Sequence, residues 1–349
     1  MGRNRKIVSI LLAPILSLGL VACGGQTTSN SGGSTGATGA TDVQPMTIKI
    51  SHVVAENTPK HKGALAMKST IEKESGGKIK VQVYPNSQLF GDKDEYQNLV
   101  ANNVQFIIPD MAKLVGVDPA FNIESMPFLF NNDAASEAFW DGPKGQEIFK
   151  RLEKNGVIGL AMWPNGPKQI TNNVRPIKTP EDMKGLKFRT QGGQLLEKVY
   201  SGLGASSVSI PYNELYLALQ QGTVDGEENT LSNIESMKFD EVQRYLTMVG
   251  HTRVDYVLMT NTKFWNSLND TTKKIVMDGV KAGTEVARKE ADTLNTTAFD
   301  KIKQRGHTQI YQLSADERQK FQQALKPVFD EYTKIIGEDV IKDALSRNQ

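Results

Sequence analysis

From Thr47 onward, short apolar runs alternate with stretches of helical periodicity, and this alternation restricts the chain to few architectures. TIKISHV reads as a strand. TPKHKGALAMKSTIEKESGG reads as a helix, with Thr58 capping it, Pro59 at its first position, and Gly76 and Gly77 ending it. KIKVQVYP then gives a strand, DEYQNLVANN a helix and VQFIIPD a further strand. Such alternation implies an α/β domain with a largely parallel sheet.

The pattern restarts after Trp163. KTPEDMKG gives a short capped turn, GLKFRT a strand, QLLEKVYSGLG a helix closed by glycine, SVSIPY an extended piece and NELYLALQQG a helix. A second lobe is therefore expected in the centre of the chain, with YLTMVGHT and DYVLMT as strands running from one lobe back to the other. Val276, Val280, Gly283, Ala287, Ala291, Leu294, Ala298 and Ile302 recur at helical spacings, the stripe of one long helix. From Asp270 to Gln304 it would run roughly 50 Å at about 1.5 Å per residue, long enough to cross two lobes. The last segment, SADERQKFQQALKPVFDEYTKIIG, opens with Ser314 and Glu317 in capping-box spacing, and Pro327 is expected to kink it. The division that follows assigns residues 46–165 plus about 254–294 to lobe I, and 166–253 plus about 295–349 to lobe II.

The N-terminus carries a different signal. Arg3, Arg5 and Lys6 precede an apolar run from Ile7 to Ala22 that contains Pro14 and Gly19, which suits a secretory signal over residues 1–22 better than a membrane helix. Its end, LVAC, resembles the lipobox of bacterial lipoproteins, which implies that Cys23, the only cysteine, is acylated. The following GGQTTSNSGGSTGATGATDVQP lacks large apolar residues, so residues 23–45 read as a flexible tether. Lipid on Cys23 would hold the protein to a membrane from outside the cytoplasm without embedding it. Losing the leader turns the formal charge from +2 to −1, which leaves no electrostatic footprint for nucleic acid.

Catalytic classes with fixed motifs find no support. Outside the Gly/Ser/Thr-rich tether the chain has no Gly-x-Ser-x-Gly elbow, Walker A loop, His-Glu-x-x-His pair or cysteine cluster, so no metal and no cofactor is expected. His52, His61, His251 and His307 show no ligand spacing. GDKDE lacks the register of a calcium loop and reads as the cap of the next helix. In LQQGTVDGEEN the acids Asp225, Glu227 and Glu228 read as a solvated turn after a helix that ends at Gly222, with Asp225-Gly226 an ordinary turn pair.

PYNELYLALQQGTVDGEEN, TPEDMKGLKFRT and FDEVQRYLTMVGH, together with GGKIKVQVYPNSQLFGDKDE, MPFLF and GLGASSVSIP, resemble the solute-binding proteins of tripartite ATP-independent periplasmic (TRAP) transporters, the DctP family. The resemblance runs in order from Met46 to about Gly250. It implies a two-lobed, periplasmic-binding-protein-like fold with crossing strands and a long helix spanning both lobes. It also implies a non-enzymatic role: capture of a small organic acid and delivery to the small and large membrane subunits of a TRAP permease.

The resemblance also assigns residues. Arg189, near the end of GLKFRT, matches the arginine that the family pairs with the ligand carboxylate, a task for which a planar guanidinium is suited. Asn229 matches the asparagine ending the family's DGQEN, while Asp225 and Glu228 would hold the turn. Glu227 replaces the usual glutamine, so it either points away from an anion or meets a positive group on the ligand. Tyr212 matches an aromatic residue over the ligand, although core packing would also explain it. Lys168 stands where many members carry a second arginine, keeping the charge and losing the fork. On lobe I the matching positions are Val53 or His52, Asp92 and Asp110, and Trp163 either walls the cleft or packs beside it. A sensor module for a membrane receptor, or a lipoprotein enzyme, are the competing readings. Dicarboxylates, keto acids, aromatic acids, sugar acids and zwitterions all fit an arginine-based site.

Overall fold

The computed structural model describes residues 42–348. The leader, Cys23 and most of the tether lie outside them. The strands are β1 (Met46–Ser51), β2 (Ile79–Tyr84), β3 (Phe106–Ile107), β4 (Val157–Pro167), β5 (Gln169–Asn172), β6 (Lys187–Thr190), β7 (Ser206–Ser209), β8 (Gly226–Asn229), β9 (Tyr245–Met248), β10 (Arg253–Asn261) and β11 (Gln309–Gln312). The helices are α1 (Pro59–Glu74), α2 (Glu95–Val100), α3 (Asp133–Asp141), α4 (Pro143–Lys150), α5 (Gln194–Gly202), α6 (Leu215–Gln220), α7 (Leu231–Ser236), α8 (Thr262–Ser267), α9 (Asp270–Arg305), α10 (Ala315–Ile336) and α11 (Glu338–Ser346).

Two sheets result, in the orders β2-β1-β3-β10-β4 and β11-β9-β5-β8-β6-β7. Both are mixed, where the helix-strand alternation implied largely parallel sheets. β1 runs parallel to β2 and β3, and β8, β6 and β7 run parallel to one another. The exceptions arise from the crossings. β4 passes straight through Lys168 into β5, carrying the chain out of the first sheet, and β9 leads to β10, carrying it back. One outgoing and one returning strand must pair antiparallel, as β4 and β10 do from Val157 to Pro167. Lys168 N donates to Thr252 O (2.8 Å) and Gly250 N to Lys168 O (3.1 Å), so the two crossings are also tied where they leave the sheets.

α9 is a continuous helix of 36 residues. It packs along α1 in the first lobe and reaches α7 in the second, as expected of a helix spanning both. The approach to α1 depends on glycine: a Cβ at Gly63 would lie 2.8 Å from Gly283 O and 2.9 Å from the Trp163 ring. Ile275, Val276, Val280, Ala287, Ala291, Ala298 and Ile302 form its buried stripe. α10 keeps the expected Ser314–Glu317 capping box and runs helical through Pro327.

Three local readings change. Thr58 Oγ1 donates to Ala55 O (2.6 Å) instead of capping α1. Asp94, at the start of α2, makes no side-chain cap, and Asp92 pairs instead with Lys113 at 2.7 Å. Residues 295–349 do not belong to the second lobe alone, because α11 packs on α3 and Asn348 Nδ2 donates to Leu129 O (2.6 Å).

Candidate functional site

A cavity of about 40 Å³ lies between the two sheets, lined from the first lobe by Val53, Val54, Lys60, Asp92, Glu95, Asp110 and Lys113, with Val254 and Tyr256 from β10. Arg189, Gln191, Tyr212, Asn229 and Asn233 line it from the second. The lobes meet across it. Gln191 Nε2 donates to Asp110 Oδ2 (3.1 Å), Lys113 Nζ to Gln191 O (2.6 Å), and Asn233 Nδ2 to the Tyr256 hydroxyl (3.4 Å).

Arg189 sits on β6 with its side chain 2 % exposed, its Nε donating to Ile210 O at 2.9 Å. β8 is its parallel neighbour, and Glu227 is the register partner of Arg189. The GEEN tetrapeptide is thus no solvated turn but a central strand, buried at every residue. Strand alternation separates its side chains onto two faces. Glu227 and Asn229 share the Arg189 face, where Asn229 Nδ2 donates to Glu227 Oε2 (3.1 Å) and Thr171 Oγ1 to Glu227 Oε1 (3.3 Å). Burial pushes the Glu227 carboxyl up to about 7, although the Asn229 hydrogen bond and the Arg189 charge pull it down. Asn229 Oδ1 accepts from Asn233 Nδ2 (2.8 Å), which fixes the amide.

Glu228 points to the opposite face. It receives Lys168 Nζ at 3.0 Å and His251 Nε2 at 2.9 Å, and it neither holds a turn nor faces the cavity. Asp225, just before β8, does hold the turn, accepting from Lys187 N at the start of β6 (2.7 Å). Burial alone would raise the Glu228 carboxyl, but Lys168 and His251 overcome it and hold it at about 2. Lys168 is fully buried in this pair and is not among the residues that line the cavity.

Two other expected residues also stand aside. His52 is buried with its Nε2 3.0 Å from His61 Nδ1, and burial, then Lys60 and His61, lower its proton affinity. Trp163 Nε1 donates to Thr284 Oγ1 (2.8 Å), and its ring fills the gap between Gly63 and Gly283. Val53, Asp92, Asp110, Arg189, Tyr212 and Asn229 do line the cavity, and the Tyr212 hydroxyl is buried without a partner among the described residues.

Sequence reasoning missed Lys60 and Glu95. Lys60, in the first turn of α1, is 1 % exposed, donates to Ile108 O (2.8 Å) and lies 3.5 Å from the centre of the Tyr256 ring. Burial lowers its ammonium to about 8, opposed by Glu95, Asp110 and Asp92. Among the described residues no cluster of three His, Cys, Asp or Glu side chains suits a metal, and no helix is long and apolar enough to cross a membrane.

Two mixed sheets joined by crossing strands, with buried cations from both lobes facing a shared cavity, define a two-lobed solute-binding protein. Comparison gives the family: the model of the DctP family, bacterial extracellular solute-binding protein family 7, matches residues 50–335, and the chain belongs to it. The C4-dicarboxylate-binding protein DctB of Bacillus subtilis is 38% identical over 298 residues, 85% of each chain. A TRAP periplasmic solute-binding protein from Shewanella oneidensis, solved with bound succinate, superposes with a TM-score of 0.85 at 37% identity, covering 87% of this chain and 100% of that one. A relative from Pseudomonas aeruginosa PAO1, solved with bound L-malate, gives 0.80 at 38% identity over 82% of this chain and 100% of its own.

Proposed function

We propose that this protein captures a small dicarboxylate between its lobes and hands it to the small and large membrane subunits of a TRAP-type permease, without chemical change to the solute. The observation that carries the reading is the placement of Arg189 on the second lobe and Lys60 on the first, both buried and both lining one cavity. A diacid offers one carboxylate to each. The guanidinium gives paired donors, and burial of both cations strengthens both contacts relative to bulk water. Asn229, held by Asn233 and Glu227, is a second donor beside Arg189. Succinate and L-malate in the two solved relatives support the same class of solute here.

Closure follows from differential affinity: solute held only by Arg189 and Asn229 gains the Lys60 side when the lobes meet, so it favours the closed arrangement. Acylation of Cys23, reached through the tether, would keep the protein at the outer face of the membrane beside its permease. Mass spectrometry of the membrane fraction tests that attachment, and Cys23→Ser should release the protein.

The binding test is a thermal shift screen of small carboxylates with Arg189→Ala in parallel, since a ligand that binds only the folded state raises the melting temperature with concentration. A saturable shift by a diacid, lost in the variant, is expected. Equal shifts in both proteins would remove Arg189 from the site. Saturation by monoacids or amines alone would remove the dicarboxylate.

A further inference from the structure

Three acids in the first-lobe wall, Asp92, Glu95 and Asp110, suggest a subsite for a positively charged group. Their surroundings argue otherwise. Asp92 is paired with Lys113 at 2.7 Å, and Asp110 accepts from Ala112 N (2.8 Å) and Gln191 Nε2 (3.1 Å). Asp92 keeps one unpartnered oxygen, Oδ1, but its charge is met by Lys113; Glu95, which opens α2 and is 1 % exposed, has no ion pair among the described residues and an Oε2 without a hydrogen-bond partner there.

We propose that Glu95 sets the specificity of the first lobe as an uncharged carboxylic acid, donating its O–H to the far carboxylate of the solute, so that the site takes a diacid and rejects the same skeleton bearing an ammonium group. This rests on the dicarboxylate reading above. The charged groups around Glu95 are Lys60 on α1, Asp92 before α2, Asp110 and Lys113 at the turn after β3, and the Tyr256 phenol on β10 lies close by. An ionised Glu95 would place another anion in a buried wall that already holds Asp92 and Asp110. Burial is the dominant effect on it and keeps its proton on up to about 8, with Lys60 opposing. A protonated carboxyl without a protein partner is a free donor beside the Lys60 ammonium. Cation and donor together match a carboxylate. An ammonium there would meet Lys60 with no unpaired negative charge to offset it.

Calorimetry of the purified protein with succinate and aspartate, combined with infrared difference spectra, tests the assignment. Succinate should bind the wild type at least about tenfold more tightly than aspartate. Glu95→Ala should weaken succinate binding about 10- to 100-fold, the effect of losing a hydrogen bond to a charged group. Glu95→Gln, which keeps a donor in the same place, should recover most of that loss. The wild-type spectra should carry the carbonyl band of a protonated carboxylic acid that Glu95→Gln removes.

Aspartate preferred over succinate, an Ala variant that binds as wild type, or a carboxylate signal from Glu95 near neutral pH would each overturn the proposal. Arg189→Ala keeps the two readings apart. If it abolishes succinate binding while Glu95→Ala does nothing, the dicarboxylate reading stands and the role of Glu95 falls. If the wild type binds no diacid, both fall.

Discussion

Replacing Lys168 with Met breaks a buried charge pair that holds β8. Lys168 Nζ and His251 Nε2 together hold the Glu228 carboxyl at about 2, against its ordinary 4.5. A downward shift of that size corresponds to about 3 kcal/mol of native-state stability at neutral pH, at about 1.4 kcal/mol per unit. The sign follows from the depressed value: the contribution is complete above pH 4.5 and is lost as the pH falls through 2. Lys168→Met removes the larger of the two opposing charges and leaves Glu228 buried with His251 alone. The loss should be about 3 kcal/mol, within the range for breaking a buried pair. For a chain of this size that is roughly 5 °C in melting temperature. In the variant Glu228 would prefer to be protonated, so the deficit should be greatest near pH 8 and shrink on acidification toward 4.5. Calorimetric melting of wild type and Lys168→Met between pH 5 and 8 measures this, and adding Glu228→Gln should return much of the loss by removing the unpaired charge. A shift below about 1 °C at pH 8, or a deficit that grows on acidification, would refute the reasoning.

Three further outcomes are expected. Arg189→Lys should weaken diacid binding by about 10- to 100-fold in calorimetry with little change in melting temperature, because an ammonium keeps the charge but loses the paired donors. Glu227→Gln should stabilise the protein by up to about 3 kcal/mol at pH 8 and leave it unchanged near pH 4.5, since the carboxyl raised to about 7 penalises the folded state only where it must ionise; melting curves at the two pH values check it. Gly226→Ala should cost about 3 kcal/mol or more, read by denaturant unfolding, because the added Cβ would stand 2.0 Å from Thr171 O in the paired strand β5, which has no freedom to withdraw.

What could be read from the chain depended on how locally each signal was encoded. The stripe of α9 and the capping box of α10 are periodic or contiguous, and both reappear in the structure. Arg189 was reachable because it lies next to the end of a strand within a long resembling segment. GEEN was not legible as a strand, since periodicity is read through apolar residues and this tetrapeptide has none. Its burial is made acceptable by partners distant in sequence, Lys168 at a separation of 60 residues and His251 at 23. Lys60 and Glu95 failed for a related reason. A lysine in PKHKG and an acid in GDKDE look like surface residues of short helices, and only the meeting of α1, α2 and β10 encloses them.

The same strand shows why the acids of GEEN need not be catalytic to matter. With a period of two, its neighbouring side chains cannot share one face, so Glu228 faces the fold while Asn229 lines the cavity with Glu227 on the same side of the sheet, bonded to it. Glu228 is bonded to Lys168 on one crossing strand and to His251 on the other, which ties β8 to both passages between the lobes. Glu227 meanwhile accepts from Asn229 and lies beside Arg189, so the donors proposed to meet solute are oriented in its absence. On that proposal an incoming carboxylate would meet a preset arginine and amide, and little ordering entropy would oppose it. Loosening Glu228 should therefore weaken binding through Asn229 even though Glu228 does not line the cavity. Lys168→Met should show reduced diacid affinity at a temperature well below its melting transition, together with faster amide hydrogen exchange along β8. Unchanged affinity with accelerated exchange would separate the stability of the crossings from the preorganisation of the site.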